Sequence, residues 1–211
     1  VVRGALTPEE ISECNAAINH YADKIRARSI EGGGLDSGSS ALQGETGWLE
    51  LTGMLGWPPP YQEPFRKLLI HPVVVSRLNE MSGKGFRLDH GPLLIGAEEG
   101  TEGHRLHGSG EPFSPSTWYH HQNGKIYCRG VTVAWQLCDV NEGDGGFCIV
   151  PGSHKSQFRP PRGVTTVEDD MGLVVQPTMK AGDVLFFMDG AQTHGTHPWQ
   201  SESPRRSILI K

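Results

Sequence analysis

Ten histidines occur in 211 residues, eight of them from His90 onward, so metal chemistry is the first question the chain raises. The densest group is Trp118-Tyr119-His120-His121-Gln122-Asn123. In an extended strand, residues i and i+2 share a face. His121 and Asn123 can therefore converge on one point while His120 turns away. A second imidazole can come from Thr193-His194-Gly195-Thr196-His197, which follows the strand-like stretch 183–188. Antiparallel strands can bring 121 and 194 together inside a barrel. Two imidazoles and one oxygen donor leave the other coordination positions open, the facial arrangement of non-haem Fe(II) oxygenases. H-x-N is common by chance. On spacing alone, strand-end histidines held by hydrogen bonds are the preferred reading.

Arg205, in Ser203-Pro204-Arg205-Arg206, lies eleven residues past His194. A guanidinium holds a carboxylate through two parallel bonds. Pointing into the same hollow, Arg205 can anchor a dicarboxylate whose other end chelates a metal; the plain alternative is a surface charge. Thr196 shares a face with His194 in an extended segment and can support the same carboxylate. Arg105, His107 and Lys125 are weaker candidates for meeting an anionic substrate, and solvated positions explain them equally well. His154 reads as structural, His197 as supporting or exposed, and Met179 and Met188 as core or strand-edge residues. Trp135 and Gln136 lie on opposite faces of one strand, so at most one of them turns toward the site.

The elements that must position these residues are short. Thr7, Pro8 and Glu10 form a T-x-x-E capping box with proline at the first helical position, and the apolar spacing predicts a helix over 7–28, ended by the glycines at 32–34. Residues 29–47 are a Gly/Ser-rich loop, and short helices follow at 63–69 and 73–81. Residues 96–117 read as a long polar loop, of the length that often serves binding. The alternation of 129–139 (RGVTVAWQLCD) predicts a strand, and 147–150, 173–176, 183–188 and 208–210 predict further ones. With 28 Gly and 15 Pro, this is a turn-rich α+β chain with a β-sandwich or barrel core behind N-terminal helices.

Composition excludes other classes. No apolar run approaches the roughly 18 residues of a spanning helix. Val1-Val2-Arg3-Gly4 does not read as a secretion signal. Net charge is −5 without a basic block, which argues against nucleic acid or an anionic membrane as partner. Cys14, Cys128, Cys138 and Cys148 form no C-x-x-C pair. They read as reduced thiols in a cytoplasmic compartment. Oligomeric state is not readable.

Five separated stretches, in order, resemble a known family. They are Leu6-Thr7-Pro8-Glu9-Glu10, residues 139–154 (DVNEGDGGFCIVPGSH), residues 181–187 (AGDVLFF), His194-Gly195, and Pro204-Arg205-Arg206. They look like the phytanoyl-CoA dioxygenase family, most closely over 118–211. The resemblance implies a single oxygenase-like domain over 1–211. Residues 1–85 would be mainly helical support, and 86–211 a double-stranded β-helix core (jelly-roll, cupin-like) carrying the site. It implies an Fe(II)- and 2-oxoglutarate-dependent dioxygenase that uses O2 to hydroxylate a C–H bond of a small molecule, with succinate and CO2 as co-products.

The family pattern is H-x-D…H with a later arginine. Carried over, His121 and His194 are the imidazole ligands, Arg205 holds 2-oxoglutarate, and Thr196 lies beside it. Asn123 stands where the family has Asp. A neutral carbonyl oxygen replaces a carboxylate, which weakens attraction for a divalent ion. Three readings stay open: Asn123 ligates the metal; the position is given over to an exogenous anion, which the bulk of Asn disfavours; or the site is altered and the protein binds without catalysis. Asp139, His120 and Gln122 are substitute ligands, with strand parity against the last two.

Overall fold

The computed structural model describes residues 1–28, 38–108, 113–156 and 158–211. Helices α1 (Pro8–His20), α2 (Glu63–Leu69) and α3 (Pro72–Met81) precede most of the strands, and the short α4 (Arg162–Thr166) is inserted among them. The strands are β1 (Arg26–Ala27), β2 (Leu49–Leu51), β3 (Leu93–Ala97), β4 (His104–His107), β5 (Tyr119–Gln122), β6 (Lys125–Cys128), β7 (Val131–Gln136), β8 (Gly146–Ile149), β9 (Val184–Met188), β10 (His194–His197) and β11 (Arg205–Ile210). Six form one antiparallel sheet in the order β1-β2-β3-β11-β7-β9. Three form a second in the order β4-β10-β8, and β5 and β6 make a separate hairpin.

Period-two alternation decides what each face of the large sheet meets. Val133, Trp135, Val184, Ile208 and Ile210 pack on one face against Cys14, Ala17 and Ile18 of α1 and Phe65 and Leu68 of α2. Ala134, Leu185 and Phe187, on the other face, pack against Phe147 of the small sheet. Each fully buried large apolar side chain contributes roughly 1.5–3 kcal/mol. The helices thus stiffen one face, and the hollow lies between the two sheets.

The capping box of α1 forms as its residues predict. Glu10 N donates to Thr7 Oγ1 at 3.3 Å, and Thr7 N donates to Glu10 Oε2 at 2.9 Å. The helix ends at His20, well short of residue 28. Tyr21 instead packs on Trp57 with ring centroids 4.2 Å apart, and Arg26 and Ala27 pair with Glu50 and Leu49 as an edge strand. Tertiary pairing overrides the helical spacing there. Residues 173–176 make no strand, only an isolated bridge between Val175 and Ile149. The polar stretch 96–117 hides β4, whose single buried apolar residue, Leu106, is too little to show a period. The glycines at 32–34 and residues 109–112 of that stretch lie outside the described residues.

All four cysteines are free. Burial pushes the Cys14 and Cys148 thiols up to about 12, so they act as small protonated hydrophobes. No helix among the described residues is long and apolar enough to cross a membrane.

The N-terminal segment is tied across the edge of the sheet. Val2 N donates to Val184 O at 2.8 Å, and Val184 N returns a bond to Val2 O at 3.0 Å. Beside them the buried Asp183 carboxylate accepts from Arg3 Nη1 at 2.6 Å, Gly4 N at 2.9 Å and Lys180 N at 2.8 Å. Burial works against its charge, but these donors outweigh it and hold the carboxyl below the usual aspartate range. A depressed folded-state value stabilises above the unfolded value of about 3.9 and is lost as pH falls below it. Asp183→Ala should cost about 1–3 kcal/mol at neutral pH by urea denaturation. It should also flatten the loss of stability that the wild type shows below about pH 4.

Candidate active site

A cavity of about 340 Å³ opens between the two sheets. Trp48, Leu93, Ile95, Phe147, Phe187 and Leu209 supply apolar walls, and His104, His107, Gln136, Asp189, His194, Thr196 and Arg205 supply polar groups. Such a mix, mostly apolar with a few convergent polar groups, is the usual form of a small-molecule site.

His194 is buried at 5 % exposure on β10, the central strand of the small sheet. Its Nδ1–H donates to the Gln192 carbonyl at 2.7 Å, which leaves Nε2 as the lone-pair nitrogen. Burial, then the neighbouring His107, push its pKa down to about 4. The ring is therefore neutral at pH 7, the form in which imidazole binds a metal. His107 lies directly opposite His194 across the strands, with ring centroids 4.3 Å apart. His104 follows at 4.9 Å from His107.

Both β4 imidazoles line the cavity because the strand carries a bulge. His194 pairs with His107 and Thr196 with His104, so two steps on β10 match three on β4. One extra residue shifts the alternation and re-aims a side chain, a common device beside active sites. Thr196 Oγ1 accepts from His104 N at 2.8 Å, which ties the bulge, and keeps its own hydroxyl proton to donate.

Asp189, at the end of β9, faces His194 with Oδ1 3.8 Å from Nε2. Lys211 Nζ donates to Asp189 Oδ2 at 2.5 Å, and Thr132 Oγ1 to Oδ1 at 3.3 Å. Burial opposes the charge, but Lys211 outweighs it and holds the carboxyl below its ordinary range.

Arg205 reaches into the hollow from β11 at 6 % exposure. Among the described residues no carboxylate pairs with it, and its Nε has no hydrogen-bond partner. Burial lowers its pKa, yet guanidinium remains charged. Room for the group comes from Gly146 on β8. A Cβ there would lie 3.1 Å from Arg205 Nε and 3.3 Å from Cδ.

The structure brings His194, Thr196 and Arg205 to one cavity. It does not bring His121 and Asn123 there. They belong to the β5–β6 hairpin, where His121 is exposed and pairs with Ile126. Asn123 (φ 52°) and Gly124 (φ 72°) form its two-residue turn. Asn-Gly is the strongest short hairpin signal, because both residues tolerate the left-handed backbone; the turn, not a ligand role, explains Asn123 in this structure. Neither residue lines the cavity, and no hydrogen bond or ring contact among the described residues joins either to His194. His120 bonds Gln122 on the hairpin at 3.1 Å, and Lys125 is exposed there. Asp139 is not a substitute ligand; it accepts from Lys180 Nζ at 2.8 Å and Ala181 N at 2.9 Å. Arg105 points to α4, donating to Thr165 Oγ1 at 3.3 Å. His154 packs edge-on to Tyr119. His104, Asp189 and Lys211 escape the sequence reading, since β4 looks like a polar loop and Asp189 stands in a turn cluster.

The family model of phytanoyl-CoA dioxygenase (PhyH) matches residues 1–207. The chain belongs to the phytanoyl-CoA dioxygenase family. No curated protein matches this family member by sequence. Among solved structures it resembles HygX from Streptomyces hygroscopicus with nickel and 2-oxoglutarate bound. The TM-score is 0.76 at 18% identity, over 99% of this chain and 79% of that one. It also resembles two nogalamycin-biosynthesis proteins. SnoN, a non-heme alpha ketoglutarate dependent epimerase, gives a TM-score of 0.65 at 19% identity, over 99% of this chain and 74% of that one. SnoK, a carbocyclase of the same kind, gives 0.64 at 19% identity, over 99% and 77%. At these identities the likeness is one of fold.

Tested against the two groups such a family implies, the cavity fits one and only partly fits the other. An unpaired buried guanidinium suits the carboxylate of 2-oxoglutarate. For iron, His194 and His107 offer neighbouring imidazoles, but no group of three His, Cys, Asp or Glu among the described residues is arranged to hold a metal ion. Gly146→Ala should close the room behind Arg205. With φ at +79°, it should lower stability by about 1–2 kcal/mol in denaturant titration, and a crystal structure of the variant should show the guanidinium displaced.

Proposed function

We propose that this family member is an Fe(II)- and 2-oxoglutarate-dependent oxygenase that uses O2 to hydroxylate a C–H bond of a small molecule, releasing succinate and CO2. The two facing sheets, on this reading, are a double-stranded β-helix over a single domain, with 86–211 carrying the site. The observation that carries the reading is Arg205, a charge buried in an apolar hollow with no anionic partner among the described residues. An unpaired buried charge costs several kcal/mol, so the arrangement makes sense with an anionic ligand in place.

In this reading the guanidinium holds the distal carboxylate of 2-oxoglutarate through two bonds, and Thr196 adds its hydroxyl proton. His194 presents a neutral Nε2 to the metal, kept in that tautomer by Gln192. The apolar walls exclude water. Iron and 2-oxoglutarate, when bound, supply oxygen activation; the protein supplies geometry and dryness. HygX is named with hygromycin B bound in one structure, and SnoN with nogalamycin RO, which supports a small-molecule substrate. SnoN and SnoK are named epimerase and carbocyclase, so hydroxylation is the part of the reading with least support from neighbours. Reduced cysteines favour the cytoplasm.

The second imidazole has two candidates, His121 by the family pattern, with Asn123 as its oxygen partner, and His107 by its place beside His194. Calorimetric Ni(II) titration separates them. His194→Ala should lose binding in either case. His107→Ala should weaken binding at least tenfold if the cross-strand pair holds the metal, and His121→Ala should do so if the hairpin swings in.

A second reading is favoured by the missing third donor: a binding protein on the same fold with an altered metal site. Turnover decides. With Fe(II), O2 and ascorbate, the oxygenase forms succinate from 2-oxoglutarate, and the binding protein does not. In the oxygenase, Arg205→Ala should raise the 2-oxoglutarate needed for half-maximal succinate formation by at least about tenfold, as expected for losing a charged hydrogen bond of roughly 1.5–3 kcal/mol. An unchanged requirement removes Arg205 from the site.

A further inference from the structure

Four buried polar atoms near Arg205 have no protein partner among the described residues: Arg205 Nε, both carboxamide atoms of Gln136, and Ser207 Oγ. They are neighbours by topology. Arg205 and Ser207 stand two apart on β11, hence on one face, and Ser207 lies directly opposite Gln136 on β7. Gln136 is 0 % exposed, and it lines the same cavity as Arg205. Its backbone is already committed, N–H to Asp183 O at 2.9 Å and carbonyl to Gly182 N at 2.8 Å. The strand therefore does not need the carboxamide. An unsatisfied buried polar group costs roughly 1–3 kcal/mol, and native proteins keep few of them. A leucine would fill the position without that cost.

We propose that Gln136 reads the carboxylate that Arg205 holds, donating Nε2–H to a carboxylate lone pair that the guanidinium does not use, with the Ser207 hydroxyl across the strands as a further donor. The inference rests on the Arg205 reading above and adds a specificity residue to it. Gln136 is neutral, so Arg205 remains the only charge among these groups. The cavity end then fits a ligand terminus bearing one carboxylate, and rejects an uncharged terminus by leaving the amide, hydroxyl and guanidinium unpaired.

The test is calorimetry on Ni(II)-loaded protein with two probes, 2-oxoglutarate and 2-oxobutanoate, which keeps the keto-acid head and lacks the distal carboxylate. Gln136→Leu should bind 2-oxoglutarate about 5–20-fold more weakly and 2-oxobutanoate unchanged. Gln136→Glu, which pairs internally with Arg205, should abolish the preference between the probes. Equal weakening for both probes, or no change for either, overturns the inference. Should Gln136→Leu fail to unfold cooperatively, Gln136→Met carries the same comparison. Arg205→Ala separates the two levels. If it loses at least tenfold for 2-oxoglutarate while Gln136→Leu loses nothing, only the role of Gln136 falls. If wild type and Arg205→Ala bind 2-oxoglutarate alike, the Arg205 reading falls and takes Gln136 with it.

Discussion

A guanidinium with no carboxylate partner among the described residues, enclosed between two apolar sheet faces, is the constraint around which the cavity is organised. Charge in a low-dielectric interior is tolerated when something of opposite sign arrives to meet it. The surroundings of Arg205 are consistent with such an arrival. The opposing strand gives up a side chain at Gly146, so the head group can extend across the sandwich. The nearest thiols, Cys138 and Cys148, have pKa values raised by burial and carry no charge at pH 7. No native carboxylate among the described residues competes for the group, whereas Asp189 is already satisfied by Lys211.

The histidines answer to a different device. A single extra residue in β4 turns two imidazoles toward His194, where regular pairing would have alternated them across the sheet. Around His194 the backbone fixes one ring nitrogen and the hydrophobic wall keeps the ring neutral. That neutrality follows from burial among Phe147 and Phe187, whose rings lie 6.1 Å and 4.6 Å away.

Much of the scaffold is legible in the chain. The capping box starts α1 where Thr7 and Glu10 put it, and the alternation of 131–136 sets Trp135 and Gln136 on opposite faces, which the structure turns to the helices and the cavity respectively. His194, Thr196 and Arg205 share one cavity, as the family resemblance implied, although β10 itself (HGTH) carries no apolar period that would announce it. What escapes is what short-range pattern does not encode. A four-residue strand with one buried apolar residue looks like a loop, and a bulge is defined by its partner rather than by its own residues. His121 and Asn123 stand apart from the cavity for a related reason. Strand parity places them on one face only if the strand runs through 123, and the Asn-Gly pair ends it there by reversing the chain.

The tie between Val2 and Val184 carries a consequence beyond anchoring. β9 is the last strand of the six-stranded sheet, so its outer rim would otherwise present free amide and carbonyl groups. Open rims of that kind template pairing between molecules. The N-terminal segment, fastened by Asp183, occupies that rim at Val184 and leaves less of it open to a second chain.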